Sequence, residues 1–220
     1  MKENFFLVLC FLLISFSCAT PKRIIVDKPI LFNSEREALT LEYLKNRYGL
    51  DQDTPDIAPR MIVLHWTAIP TLKESFDTFN SSQLPGARSD VQQAGSLNVS
   101  SHFMVDRDGT IYRLMPETTM ARHVIGLNHC AIGVENVGGT ADTPMTKAQI
   151  SANIFLVNYL ANKYDIEYLI GHHEYTRFEG HELWLEKDAG YRTEKEDPGP
   201  DFMRKVRQAT KNLNFKPIPN

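Results

Sequence analysis

Two short apolar runs, Met61-Ile62-Val63-Leu64 and Tyr168-Leu169-Ile170-Gly171, each end directly on a histidine. Runs of four such residues, bounded by turn-forming segments, are the length and composition of buried strands. A ring bearing two polar nitrogens at the mouth of such a strand lies where open sheets place their sites. His65 and His172 therefore constrain the chain twice, once as fold and once as chemistry.

The segments between these runs supply the rest of the fold. Ser34-x-x-Glu37 has the form of a capping box opening a helix that Gly49 stops. Thr71-x-x-Glu74 opens a short helix through Phe79, and Thr146-x-x-Gln149 a long one to about Tyr164. Residues 101–105 and 110–114 flank Asp106-Arg107-Asp108-Gly109, whose Asp-Gly gives a hairpin turn. Ala131 to Asn136 reads as a further strand, Ser81 to Asn98 as a loop, and Arg177 to Tyr191 as a long polar connection. A last helix is expected from Pro198. Helices alternating with strands predict an α/β single domain, a central mixed β-sheet flanked by helices, with an N-terminal helical extension.

The first residues belong to a different class. One basic residue, an apolar run from Phe5 to Phe16 and then Ser17-Cys18 describe an export signal, too short to span a bilayer. Ser15-Phe16-Ser17-Cys18 resembles a bacterial lipobox, with Cys18 as the lipidation site and Phe16 in place of the usual small residue. A plain cleaved signal is the alternative. The expected organisation is a lipoprotein signal over 1–17, a tether and helical extension over 18–58, a catalytic domain over 59–212 and a tail over 213–220. With Cys10 in the signal and Cys18 lipidated, Cys130 stands alone, so the mature chain has no internal disulfide, and a packed thiol is the expected state. Against 27 acidic side chains the chain sets 24 basic ones. That balance argues against a nucleic-acid partner, which calls for a basic excess.

Asp197, in Lys195-Glu196-Asp197-Pro198, would complete two imidazoles and one carboxylate, the donor set of a catalytic zinc centre with one position left to water. No fixed spacing marks such a set, and on the pattern alone hydrogen-bonded buried histidines are the commoner case. His172-His173-Glu174 is not the H-E-x-x-H of zinc proteases, no G-x-S-x-G is present, and Gly133 to Gly139 is not a phosphate loop.

Four stretches together carry a resemblance. They are Ile62 to Thr67, Ser101 to Ile111, Ala121-Arg122-His123 with Asn128 and Ala131 to Glu135, and Ile170-Gly171-His172 with Lys195-x-Asp197-Pro198-Gly199-Pro200. In this order they resemble the type 2 N-acetylmuramoyl-L-alanine amidases, relatives of peptidoglycan recognition proteins and phage lysozyme-like amidases. The resemblance implies Zn²⁺ held by His65, His172 and Asp197, Glu135 as general base and Lys195 as oxyanion donor. It places His123 and Asn128 in the substrate cleft, with peptidoglycan or a muropeptide as substrate. A lipid anchor would then make the membrane a second partner and put the enzyme at the cell envelope, in the outer membrane facing the periplasm. A non-catalytic peptidoglycan-binding module is the alternative reading. The segment Tyr175 to Thr193 is longer than its family counterpart, and His173 stands next to His172 as a rival ligand.

Overall fold

The computed structural model describes residues 24–86 and 93–220. The export signal and Cys18 lie outside the described residues. Six strands form one mixed sheet: β1 (Ile25–Asp27), β2 (Met61–Leu64), β3 (Phe103–Val105), β4 (Ile111–Arg113), β5 (Ala131–Asn136) and β6 (Tyr168–Gly171). Their order across the sheet is β1-β4-β3-β5-β2-β6, and only the β3–β4 hairpin is antiparallel. The helices are α1 (Ser34–Tyr43), continued as a π turn over Leu44–Tyr48, α2 (Leu72–Asn80), α3 (Lys147–Lys163) and α4 (Pro200–Ala209). This is the mixed sheet with flanking helices expected from the sequence.

The strands at the centre are apolar on both sides because both sides are covered. Alternation sends Ile62, Leu64, Ile132, Val134 and Leu169 towards α3 and α4, where Leu156, Val157, Phe202 and Val206 meet them. It sends Met61, Val63, Ala131 and Ile170 the other way, against Tyr43 and Leu44 of the α1 and π-turn unit and against Tyr175, Phe178 and Leu183. The connection after β6, read from sequence as polar, therefore carries apolar anchors that complete the second layer. Its opening is a 3-10 turn over His172–Phe178.

Several expected ends shift. Asn33, not Ser34, caps α1, accepting from Arg36 N at 3.0 Å. The last helix starts at Pro200, not Pro198, with Gly199 as its cap. Both fit the rule that a cap stands just outside the first helical residue and that proline is tolerated at the first position. The segment 18–58, expected to hold a tether and a helix, also contributes β1, which pairs in parallel with β4 at the sheet edge. The Thr146–Gln149 capping box is present as read. Cys130 is a packed thiol bonded to Leu127 O, and burial pushes its pKa up to about 12.

One ion pair ties the end of β6 to α4. Arg207 donates through Nη1 to Glu174 Oε1 (2.8 Å) and through Nη2 to Oε2 (2.6 Å), while Gly171 N donates to the same Oε2 (2.7 Å). Burial raises the Glu174 carboxyl, but the bonds from Arg207 and Gly171 outweigh it and hold it below the usual carboxylate range. Such a depressed group stabilises the fold above its unfolded pKa of about 4.3, and the contribution is lost as pH falls through the lower folded value. Glu174→Gln should therefore cost about 2 kcal/mol at pH 7. The two proteins should converge in acid, as denaturation at pH 7 and pH 3 would show.

A buried triad at the ends of two parallel strands

Register brings the distant residues together. Leu64 of β2 stands opposite Gly171 of β6 on one side and Val134 of β5 on the other. The next residues, His65, His172 and Glu135, thus emerge at one level of the sheet. His65 N donates to Val134 O (2.9 Å) and Asn136 N to His65 O (3.1 Å), so the backbone of His65 brackets Glu135 in the ladder. Asn136 adds its side-chain amide to the same carbonyl at 2.9 Å and is itself held by Asn153 of α3.

Asp197 arrives from the other end of the long connection. His173 N and His173 Nδ1 both lie 3.0 Å from the carbonyl oxygen of Asp197, and both point hydrogens at it. His173 is thereby committed to holding the backbone of Asp197, and His172 is the neighbour whose ring enters the site. His65 Nδ1 lies 3.0 Å from His172 Nδ1 and 3.2 Å from Asp197 Oδ2, and His172 Nδ1 lies 3.1 Å from the same oxygen. All three residues are buried.

A tetrahedral ion with bonds of about 2.0–2.2 Å needs its ligand atoms roughly 3.3 Å apart. The three atoms form nearly such a face, and among the described residues they are the group of three able to share one metal ion. Their charge state suits it. Burial and the neighbouring His65 lower the His172 pKa to about 4, which keeps that imidazole neutral. Burial alone would raise the Asp197 carboxyl, but His172 foremost, with His65 beside it, holds it well below the usual carboxylate range. A neutral imidazole and an ionised carboxylate are the forms in which His172 and Asp197 could ligate a divalent metal.

The triad forms the floor of an open cleft of about 470 Å³. Glu135 and Lys195 line it beside the triad; Tyr43, Trp66, Arg122 and Tyr191 contribute to its walls. His123 and Asn128 border it too. The Asn128 amide is spent on the fold: its oxygen accepts from His123 N (2.9 Å) and Val124 N (2.8 Å), and its nitrogen donates to Tyr48 (2.8 Å). Trp184 stacks on Tyr175, with Arg192 over its ring, and lies against Gly126, so it packs onto the fold. His102 is fully buried and bonded to Thr119 O.

The sequence offered His173 only as a rival ligand, not as the residue that holds Asp197, and gave Asn136, Arg122 and Tyr43 no role at the site. The first had a signal, since a polar residue directly beside a ligand candidate commonly orients it. The others are brought in by pairings that no local pattern reveals. Gly171 is also required here, for space alone: its φ of −86° suits any residue, but a Cβ would lie 2.7 Å from His173 Cε1 and 3.0 Å from Met203 Cγ. Gly171→Ala should cost about 1–3 kcal/mol by overpacking. It should also loosen His173 from Asp197, read as a lowered Tm together with weaker binding of a divalent metal by calorimetry.

A family model described as N-acetylmuramoyl-L-alanine amidase matches residues 52–200. The endolysin of Escherichia phage T7 is 36% identical over 88 residues, which cover 38% of this chain and 58% of that protein. The chain thus spans 58% of the length of the curated relatives it matches. Among solved structures, the N-acetylmuramoyl-L-alanine amidase LysC from Clostridium intestinale URNW superposes with a TM-score of 0.53 at 25% identity, covering 88% of this chain and 99% of that one. The peptidoglycan recognition protein-LE, solved in complex with tracheal cytotoxin, shares the fold with a TM-score of 0.50 at 17% identity, covering 84% and 92%.

Proposed function

This chain belongs to the N-acetylmuramoyl-L-alanine amidase family, and from that premise we propose that it hydrolyses the amide between N-acetylmuramic acid and L-alanine in peptidoglycan or its fragments, using Zn²⁺ held by His65, His172 and Asp197. The observation that carries the reading is the near-tetrahedral face of three donor atoms 3.0–3.2 Å apart, with Glu135 beside it. When bound, such an ion polarises an amide carbonyl and lowers the pKa of water to about 7.

The protein's own groups do the rest. Glu135, on the same level as His65, takes a proton from the attacking water. It returns that proton to the L-alanine nitrogen as the C–N bond breaks, leaving a carboxylate on the sugar side and a free amine on the peptide. Lys195 donates to the carbonyl oxygen as negative charge gathers there. A cleft of about 470 Å³ is in the size range of sites that enclose small ligands. Its walls include Tyr43, Trp66 and Tyr191, and the guanidinium of Arg122 braces them, donating to Gly95 O (3.2 Å), to Leu97 O and to the Tyr191 hydroxyl (3.3 Å).

A binding-only module is the weaker alternative. Burying two imidazoles and a carboxylate in mutual contact is costly unless something compensates them, and recognition alone does not call for them. The same proposal puts the protein at the cell envelope, in the outer membrane facing the periplasm and anchored by lipid on Cys18. The support for this is the export-like run, the lipobox-like Ser15-Phe16-Ser17-Cys18 and a murein substrate.

Purified protein should bind about one zinc per chain and release free stem peptide from murein, seen by mass spectrometry, with chelation abolishing both. His65→Ala should lose metal and activity together. Glu135→Gln should keep the metal while activity falls about 10²–10⁴-fold, and Lys195→Ala should lose about 10²–10³-fold. Full activity in metal-free protein would refute the reading. Cys18→Ser should move the protein from the membrane to the soluble fraction, and its persistence at the membrane would defeat the anchor.

A further inference from the structure

Behind His65, on the side away from the triad, a second line of contacts runs into the sheet. His65 Nε2 lies 3.0 Å from His123 Nδ1, and His123 Nε2 lies 3.2 Å from the backbone oxygen of Ala131. The rings of His65 and His123 meet edge to face, with centroids 5.1 Å apart. We infer that His123 is a positioning residue that dictates which nitrogen of His65 carries the proton, and so keeps the Nδ1 lone pair of His65 turned towards Asp197 and His172. The inference rests on the reading that the triad holds a divalent ion.

The argument is an inventory of protons. A carbonyl oxygen offers only lone pairs, so the hydrogen between Ala131 and His123 sits on His123 Nε2. With one proton per ring, His123 Nδ1 is an acceptor. The nitrogen facing it, His65 Nε2, must then be the donor, since two lone pairs 3.0 Å apart would leave both unsatisfied. His65 Nδ1 is left without a proton at the corner of the triad where a cation would bind. The neighbouring ligand nitrogen thus has its state set by a backbone carbonyl two bonds removed, the kind of outer partner that fixes the tautomer and direction of a ligating imidazole.

The ring of His123 is fixed tightly enough for this task. Its backbone N–H is tied to Asn128 Oδ1 at 2.9 Å. The ring lies on Gly133, where an added Cβ would come 2.8 Å from His123 Cγ and 2.8 Å from Ser101 Oγ, so a side chain there would lift it. On its far side stands His102, which accepts from Gly133 N at 3.0 Å and donates through Nε2 to Thr119 O at 2.9 Å. His102 therefore has both nitrogens committed and does not compete for His65. The role differs from the substrate contact that the family resemblance assigns to His123, and the two can be told apart by what fails when the ring is changed.

The test compares His123→Phe, which keeps the bulk and removes the acceptor, with His123→Asn, which restores an acceptor near the Nδ1 position. Zinc affinity is measured by competition with a chromophoric chelator. His123→Phe should bind zinc about 10–100-fold more weakly, and His123→Asn should recover most of that loss. Nitrogen-15 NMR on histidine-labelled, zinc-free wild-type protein should show His65 protonated at Nε2. Wild-type zinc affinity in His123→Phe with only a raised KM would overturn the inference and return His123 to substrate contact. A predominant Nδ1–H on His65 would overturn it even if the Phe variant does not fold. Undiminished zinc binding by His65→Ala is a separate result: it removes the ion reading, and this inference with it.

Discussion

Parallel register is the constraint from which the cleft follows. β5, β2 and β6 run side by side in one direction and are aligned so that Leu64 faces both Val134 and Gly171. A slip of one residue in either pairing would send a ring or a carboxylate to the opposite face, because side chains alternate strictly along a strand. The apolar residues before His65, Glu135 and His172 enforce the alignment. Each has a defined layer to enter, and the wrong register would push Val63 or Ile170 against the partners of Ile62 or Leu169. The same burial that stabilises the sheet thus sets the spacing of the polar groups at its edge.

Polar groups placed so deep need partners of their own, and the structure supplies them from behind. Asn153 and Gln149, on the buried side of α3, use their amides on Asn136 and on the carbonyls of Val105 and Val137. His173 holds Asp197, His123 meets His65, and Glu174 with Arg207 secures the end of β6. A satisfied polar network of this kind is rigid, since every member has a geometry to lose if it moves.

Much of this was legible in the residues. The strands at 61–64, 131–136 and 168–171, the Asp-Gly hairpin and the caps at Thr71 and Thr146 are local signals: period, turn chemistry and capping act over a few residues, and each element formed where those signals stood. His65 and His172 were visible as polar residues ending apolar runs. The grouping of Asp197 with them was a weak signal in the residues and gained weight through family resemblance, because 25 residues separate it from His172 and no period links them. The misreadings have the same origin. Ile25–Asp27 is too short to announce a strand and becomes one by pairing with β4. The stretch from Arg177 to Tyr191 looks polar by composition, yet Phe178, Leu183 and Tyr191 are buried because a sheet face lay open for them.

The layer built by α1, its π turn and the loop after β6 joins chain from two ends of the sequence. Arg47 pairs with Glu186 and lies over the ring of Tyr191, Lys187 N donates to Arg47 O, and Tyr43 and Tyr191 both reach the cleft. Starting the protein at residue 52 would take away one half of this clasp and leave its other half, Tyr191 among it, uncovered. The amino-terminal arm is thus masonry of the sheet's second face, and a version without it should be expected to clump.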